Sequence, residues 1–479
     1  MWVFSTAGCR WLGAAGSLAV TVGGWAAGTL PVRGGWGLWE PRGSGLAAGG
    51  AVLAYAGLTL LLLAWWQYGR VLVAGGRDRD GVLGTLGWWV APLVLAPPLY
   101  SADVYSYIAQ GAMVLEGHDV YGAGPSVLAP HELGADAAAS VGGHWTDTPA
   151  PYGPAFLVLA EGVVKLTGGS VLPAVLGMRL IALGSLALIV WAVRGPAGGR
   201  SGAVWLAALN PLFLIHVVGG MHNDGLMIGL MLAGVLLAVR GRWVLGSAVV
   251  GLAMTVKSPA AVALLFLGVL VARRWGGRRA LGGFVLPGVV AGVVATVATV
   301  LAGTGFGWLR TQSVAAGIHT PLSVTSDLGL GLGLLFGDDP EPVKGVVQKL
   351  GLLVAVAVIG GLAWRAWKGR IDPVLGLGLA LLALVALSPM VQPWYVLWGV
   401  CVVACATAGW GSRPAQFLVV LSAALTYETA PSGHTPAYGF VLAGVVLAAG
   451  LLWMRRERWA GPGLGAAAAL GPAPVGAAR

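Results

Sequence analysis

The chain has 479 residues, of which 57% are hydrophobic and only 10% charged, and its mean hydropathy is +0.83. Soluble domains carry roughly 25% charge, so this composition excludes one and indicates a polytopic helical membrane protein whose apolar runs approach the roughly 20 residues that cross a bilayer. The net charge of +10 is read as membrane orientation, not as a nucleic-acid surface, and three cysteines without a CxxC pair exclude a disulfide framework or thiolate metal site.

Fourteen apolar segments are predicted. The first three lie at 11–30, 46–66 and 82–99; the first follows Arg10 and is expected to stay as an anchor. A long polar stretch, 100–170, comes next and contains one short predicted helix at 153–169 that suits the membrane interface. The segments 171–193, 203–218, 225–239, 243–256, 259–271 and 281–302 follow, with those at 225–239, 243–256 and 259–271 short enough to be tilted or re-entrant. A second polar stretch, 303–345, precedes 346–367, 373–388, 396–410, 414–429 and 437–454. Residues 1–458 read as one transmembrane domain of about 13–14 helices, and the Ala/Gly/Pro-rich tail 459–479 reads as disordered.

Charge orients the chain. With a cytoplasmic N-terminus and strict alternation, 20 of the 28 Lys and Arg fall on the cytoplasmic side with only four acids, Asp78, Asp80, Asp372 and Glu457. That side carries about +16 and the remainder about −6, as the positive-inside rule requires. Both termini are then cytoplasmic, and both long polar stretches lie outside.

Five clusters of chemistry-bearing residues fall on the outer side. "SADVYSYIAQG" brings Asp103, Tyr105 and Tyr107; "HWTDTPAPYGP" brings His144, Asp147 and Tyr152. "VVGGMHNDGL" brings His222, Asn223 and Asp224; "TVKSPA" brings Lys257; "LSPMVQPWYVLWG" brings Gln392, Trp394 and Tyr395. Arg310 and His319 add basic groups from the second polar stretch. Each has a plain structural reading: Asp224 as a helix cap, Trp394 and Tyr395 as interfacial belt residues, His144 with Asp147 as a loop hydrogen bond, Lys257 as a snorkelling lysine. Their convergence on one face favours function, because polar groups at membrane depth are costly. Aromatic faces with carboxylates and amides suit a sugar, and a nearby cation suits a phosphate.

Four of these stretches, "DVYSYIAQGAMVLEGHDVY", "DTPAPYGPAFL", "NPLFLIHVVGGMHNDGLMIGLMLAG" and "SPMVQPWYVLW", resemble the actinobacterial polyprenol-phosphomannose-dependent α-1,6-mannosyltransferases of the GT-C class of integral-membrane glycosyltransferases. The resemblance runs from about residue 80 to about residue 400. It implies a polyprenyl-phosphate-mannose donor and a mannan on a phosphatidylinositol-mannoside anchor as acceptor. It further implies a lipomannan or lipoarabinomannan backbone as product, and chemistry on the outer face of the plasma membrane. Asp103 matches the acid that serves the class as general base, and Lys257, Arg310 or His319 would hold the leaving phosphate. The superfamily often pairs acids on this loop, whereas "SADVYSY" has one, so neither a metal nor a cofactor is expected. The alternatives are a GT-C enzyme for arabinofuranose or glucose, a flippase of lipid-linked sugars, and a non-enzymatic assembly protein.

Overall fold

The computed structural model describes residues 5–73, 81–195, 201–336, 339–407 and 413–456. Arg77–Asp80, Arg200, Glu457, Arg458 and the tail 459–479 lie outside them. Among the described residues every regular element is a helix, so the all-α polytopic expectation holds. Six helices are long and apolar enough to cross a membrane: Ser44–Leu72, Val171–Arg194, Ser258–Trp275, Gly277–Ala302, Glu341–Trp367 and Ala437–Arg455. A bent pair, Ser201–Ala207 with Pro211–Gly219, makes a possible seventh, and seven shorter apolar helices of 10–17 residues accompany them. Length and composition thus select fewer spans than the 13–14 apolar segments suggest.

Three of the long helices, Ala280–Ala302, Glu341–Trp367 and Ala437–Arg456, keep exposed rows of Leu and Val, such as Val293, Leu301, Leu353, Val356 and Val441. Water would not tolerate such continuous apolar faces, whereas lipid does. The core lies among the central helices, where Arg179, Tyr105, Tyr107, Trp205 and Phe213 are almost fully buried.

Arginines close one end of the bundle. Arg10 donates to Gly81 O at 3.4 Å and to Thr85 Oγ1 at 3.3 Å, while Arg273 donates to Ala366 O at 3.0 Å and Arg274 to Ala238 O at 2.7 Å. Ala366 and Ala238 lie in the last turns of Glu341–Trp367 and Asp224–Val239, where carbonyls lack intrahelical partners and a cation is favoured by the helix dipole; Arg10 instead meets the first turn of Gly81–Val94.

The opposite end is built from breaks. Pro97-Pro98 stops the chain after helix Gly81–Val94, since proline supplies no amide donor and disfavours helix before it. The segment 203–218, expected as one span, is bent by 50° at the Asn210-Pro211 break. Its second half relaxes into a π-helix over Leu214–Gly219, a geometry that collects at functional sites. Leu99 N–H meets Gly219 O at 3.3 Å, Tyr100 N–H meets Pro431 O at 2.9 Å, and Ala155 N–H meets Thr255 O at 3.1 Å. A Cβ on Gly153 would stand 2.3 Å from Thr255 O, so only glycine lets these two segments touch. The predicted helix at 153–169 forms as Pro154–Thr167 and packs through Phe156, Leu157 and Ala160 against the helix Asp103–Leu115.

Candidate active site

Asp103 begins the helix Asp103–Leu115, where the free amides of a first turn favour a negative charge. Its own N–H donates to Ser101 Oγ at 3.0 Å. The carboxylate is 24% exposed, enough for a substrate hydroxyl to reach it, while His222 behind it is wholly buried. His222 Nδ1 lies 3.3 Å from Asp103 Oδ2, an ion-pair distance outside regular hydrogen-bond geometry. Tyr107 Oη donates to the same Oδ2 along a 3.5 Å bond and receives Asn223 N–H at 3.5 Å. Burial pushes the Asp103 carboxyl up, but the contact and charge of His222, the charge of Lys257 and the Ser101 contact outweigh it and hold it below its ordinary value. Asp103 is therefore ionised at neutral pH.

A second charged centre lies beside the first. Asp224, fully buried, accepts Lys257 Nζ at 2.8 and 2.9 Å, Trp398 Nε1 at 2.6 Å and Trp394 Nε1 at 3.2 Å. Lys257 in turn sits over the rings of Tyr395, at 4.4 Å, and Trp398, at 5.5 Å, which suits a desolvated cation. Trp394 joins the two centres: it bonds Asp224 through its nitrogen and stacks on His222 with ring centroids 3.7 Å apart. The turn carrying Trp394 is fastened from the second polar stretch, where Ser323 and Thr325 hydroxyls donate to Ser388 O and the Ser326 hydroxyl to Pro389 O.

Four of the five predicted clusters thus meet, and the fifth contributes only Tyr152, whose ring packs on Tyr107 at 5.2 Å. Tyr105 is buried in the opposite sense, its hydroxyl on Thr29 O at 2.6 Å, because neighbours two apart on a helix point to different sides. Asp147 accepts from Ser126 Oγ at 2.6 Å and His144 packs on Trp145, so both stay in the loop, each with a partner other than the hydrogen bond between them that the plain reading expected. His319 pairs with Asp327 at 2.7 Å on the exterior. Arg310 reaches Tyr121 O at 3.4 Å, and Tyr121 Oη donates to Tyr152 O at 3.1 Å, a two-bond chain that links the guanidinium to the segment of Tyr152. Gln392 lines an apolar groove of about 520 Å³ between the helices Pro373–Ala386, Val396–Ala406 and Arg413–Leu425. Asp224 is not the cap of its helix; its carboxylate is spent on Lys257 and the two indoles.

Two neighbours were not selected from the sequence. Trp398 stands four residues after Trp394, a one-turn spacing that could have paired them. His216 is fully buried against Trp394, with centroids 4.9 Å apart, and neither ring nitrogen has a partner among the described residues. Asn223 likewise leaves both side-chain polar atoms unpaired while 2% exposed. Buried polar groups are normally satisfied, so this concentration beside Asp103 marks a place built to meet a polar ligand. Among the described residues no three His, Cys, Asp or Glu side chains form a set able to hold a metal ion.

A bundle of apolar helices with a carboxylate, aromatic walls and unpaired polar groups at one end has the make-up of an all-α polytopic membrane glycosyltransferase. Residues 10–273 match the N-terminal domain of the alpha-(1->6)-mannopyranosyltransferases, and residues 319–457 match the MptB C-terminal domain. A probable alpha-(1->6)-mannopyranosyltransferase of Mycolicibacterium smegmatis is 33% identical over 94% of this chain and 89% of its own. Alpha-(1->6)-mannopyranosyltransferase A of Mycobacterium tuberculosis is 35% identical over 82% of this chain and 79% of its own. Alpha-(1->6)-mannopyranosyltransferase B of Corynebacterium glutamicum is 31% identical over 90% and 78%. The chain belongs to the alpha-(1->6)-mannopyranosyltransferase family.

Proposed function

We propose that the protein moves mannose from polyprenyl-phosphate-mannose to the 6-hydroxyl of a growing α-1,6-mannan, the lipomannan backbone, on the outer face of the plasma membrane. The observation that carries this reading is the convergence of Asp103, His222, Tyr107, Asn223 and Trp394 at the end of the bundle opposite the arginine-closed end. A lipid carrier suits a protein whose reactive groups sit at the rim of its apolar helices. On that face the sugar donor must be delivered by a membrane-bound carrier.

A β-linked mannosyl phosphate and an α-linked product need one in-line displacement with inversion. The acceptor oxygen bonds to the anomeric carbon as the bond from that carbon to the phosphate oxygen breaks. The electron pair leaves with the phosphate, and the acceptor proton passes to Asp103. General-base help of this kind is worth roughly 10²–10⁴ in rate. His222 and Tyr107 aim the carboxylate, and the rings of Tyr107, Tyr152 and Trp394 offer faces for the sugars. Lys257 is already neutralised by Asp224 and His319 by Asp327. Arg310 is therefore the favoured phosphate contact of the three, and its planar fork can take two oxygens at once.

A flippase would use an ionisable residue inside a span, but the clearest of these, Arg179, has its guanidinium occupied by backbone carbonyls. The deciding experiment uses purified protein, polyprenyl-phosphomannose and a short α-1,6-mannoside, with linkage analysis of the product. An added α-1,6-mannose supports the reading. Transfer from polyprenyl-phosphoarabinose or polyprenyl-phosphoglucose in its place, or translocation without transfer, overturns it.

A further inference from the structure

Arg179 lies eight residues into the helix Val171–Arg194, roughly 12 Å below its first residue, and is 1% exposed. Its guanidinium donates to Val94 O at 3.0 Å, to Pro97 O and Gly219 O at 3.3 Å each, and to Ala96 O. The charge is met by four carbonyl dipoles and by no carboxylate among these partners.

The four carbonyls belong to two segments where a helix ends. One leaves the helix Gly81–Val94, passes Pro97-Pro98 and arrives at Asp103. The other ends the π-helix at Gly219 and arrives at His222. Both contain a residue that resists its own backbone conformation: Tyr100 has φ +62° and Met221 has φ +55°, two of the three non-glycine residues with positive φ among the described ones. Such conformations persist only where the surroundings over-determine them, and they gather at working sites. The bond from Leu99 N–H to Gly219 O and the packing of the Tyr100 ring on His216 tie the same two segments together. Carbonyls freed by ending a helix in an apolar interior need donors, and a five-donor planar fork can serve four of them at once, which a lysine point charge cannot.

We propose that Arg179 is a positioning residue for mannosyl transfer: it rivets the segments 94–98 and 219–222 to each other, and so sets Asp103 against His222 without touching substrate. The part of this that concerns turnover rests on the reading of Asp103 as general base; the rivet itself does not.

The test compares Arg179→Met and Arg179→Lys with the unaltered full-length protein in detergent, by two readouts. Hydrogen–deuterium exchange should rise in peptides covering 94–103 and 217–224 together, while Ser44–Val73 and Glu341–Trp367 stay as they were. Arg179→Lys, which keeps charge and some donors, should show a smaller rise in the same two regions. In kinetics, kcat should fall about 10- to 100-fold for Arg179→Met, the range expected when reacting groups drift by an ångström. The donor KM should change less than about threefold, and Arg179→Lys should recover part of the loss. If Arg179→Met fails to fold, Arg179→Lys alone decides. Unchanged exchange in both segments, or loosening spread evenly over all helices, overturns the rivet. A local rise in exchange with wild-type kcat keeps the rivet but overturns its role in positioning. If Asp103→Asn also proves active, the fault lies with the general-base reading.

Discussion

Replacing Asp224 by Asn separates a structural salt bridge from a substrate-binding lysine. The carboxylate is fully buried and meets Lys257 Nζ at 2.8 and 2.9 Å, Trp398 Nε1 at 2.6 Å and Trp394 Nε1 at 3.2 Å. Asparagine keeps the size but offers one carbonyl oxygen where three donors converge, and its own NH₂ faces a former donor. Lys257, 14% exposed, is then a nearly buried cation with no carboxylate in contact. Removing one partner of such a pair costs about 3–5 kcal/mol, and an indole N–H left without an acceptor adds about 1–3 kcal/mol. Adding Lys257→Met removes the stranded charge, so the double variant should be more stable than Asp224→Asn alone by about 2–3 kcal/mol. The assay is SDS titration in mixed micelles for the wild type, both single variants and the double variant. The result that refutes the reasoning is additivity, with each single variant within about 1 kcal/mol of wild type. The pair would then hold nothing together, and Lys257 would be available to a phosphate.

Asp103→Asn should lower kcat at least about a hundredfold, with donor binding and membrane insertion retained; near-normal turnover would remove Asp103 as base. Because the Asp103 carboxyl is held below its ordinary value, the acid limb of the kcat–pH profile should lie below that value, and His222→Gln should move it upward. The sign for stability is the same: the contribution of ionised Asp103 is complete above its unfolded value and is lost as pH falls through the lower folded one. Of alanine variants at Lys257, Arg310 and His319, Arg310→Ala should weaken donor affinity and kcat together, and excess chelator should leave activity intact. Wild-type kinetics for all three, or loss of activity in chelator, would mean that the leaving phosphate is stabilised by other means. Cysteines introduced near Asp136 should react with a membrane-impermeant thiol reagent in intact cells and those near Arg278 should not; the reverse pattern inverts the orientation.

The helical membrane class was legible from composition, because apolar content and scarce charge respond directly to the bilayer as solvent. Family membership was legible too, since its stretches lie around the prolines, glycines and polar residues that break the helices. Local sequence also holds the cause of the breaks at Pro97-Pro98 and Pro211, where a proline cannot donate to the ladder, although apolar content alone read 82–99 and 203–218 as unbroken spans. What it could not reveal was which polar residues share a site. Tyr105 and Tyr107 read alike, yet helix phase sends one to Thr29 and the other to Asp103. Lys257 read as a lone cation until folding set Asp224, 33 residues away in sequence, against it. Arg179 stands inside a span, and its partners are backbone carbonyls that no side-chain pattern encodes. Burial and breakage depend on each residue and its near neighbours, so the chain's own order displays them. Pairing depends on how distant helices pack and rotate, and only the tertiary structure decides that.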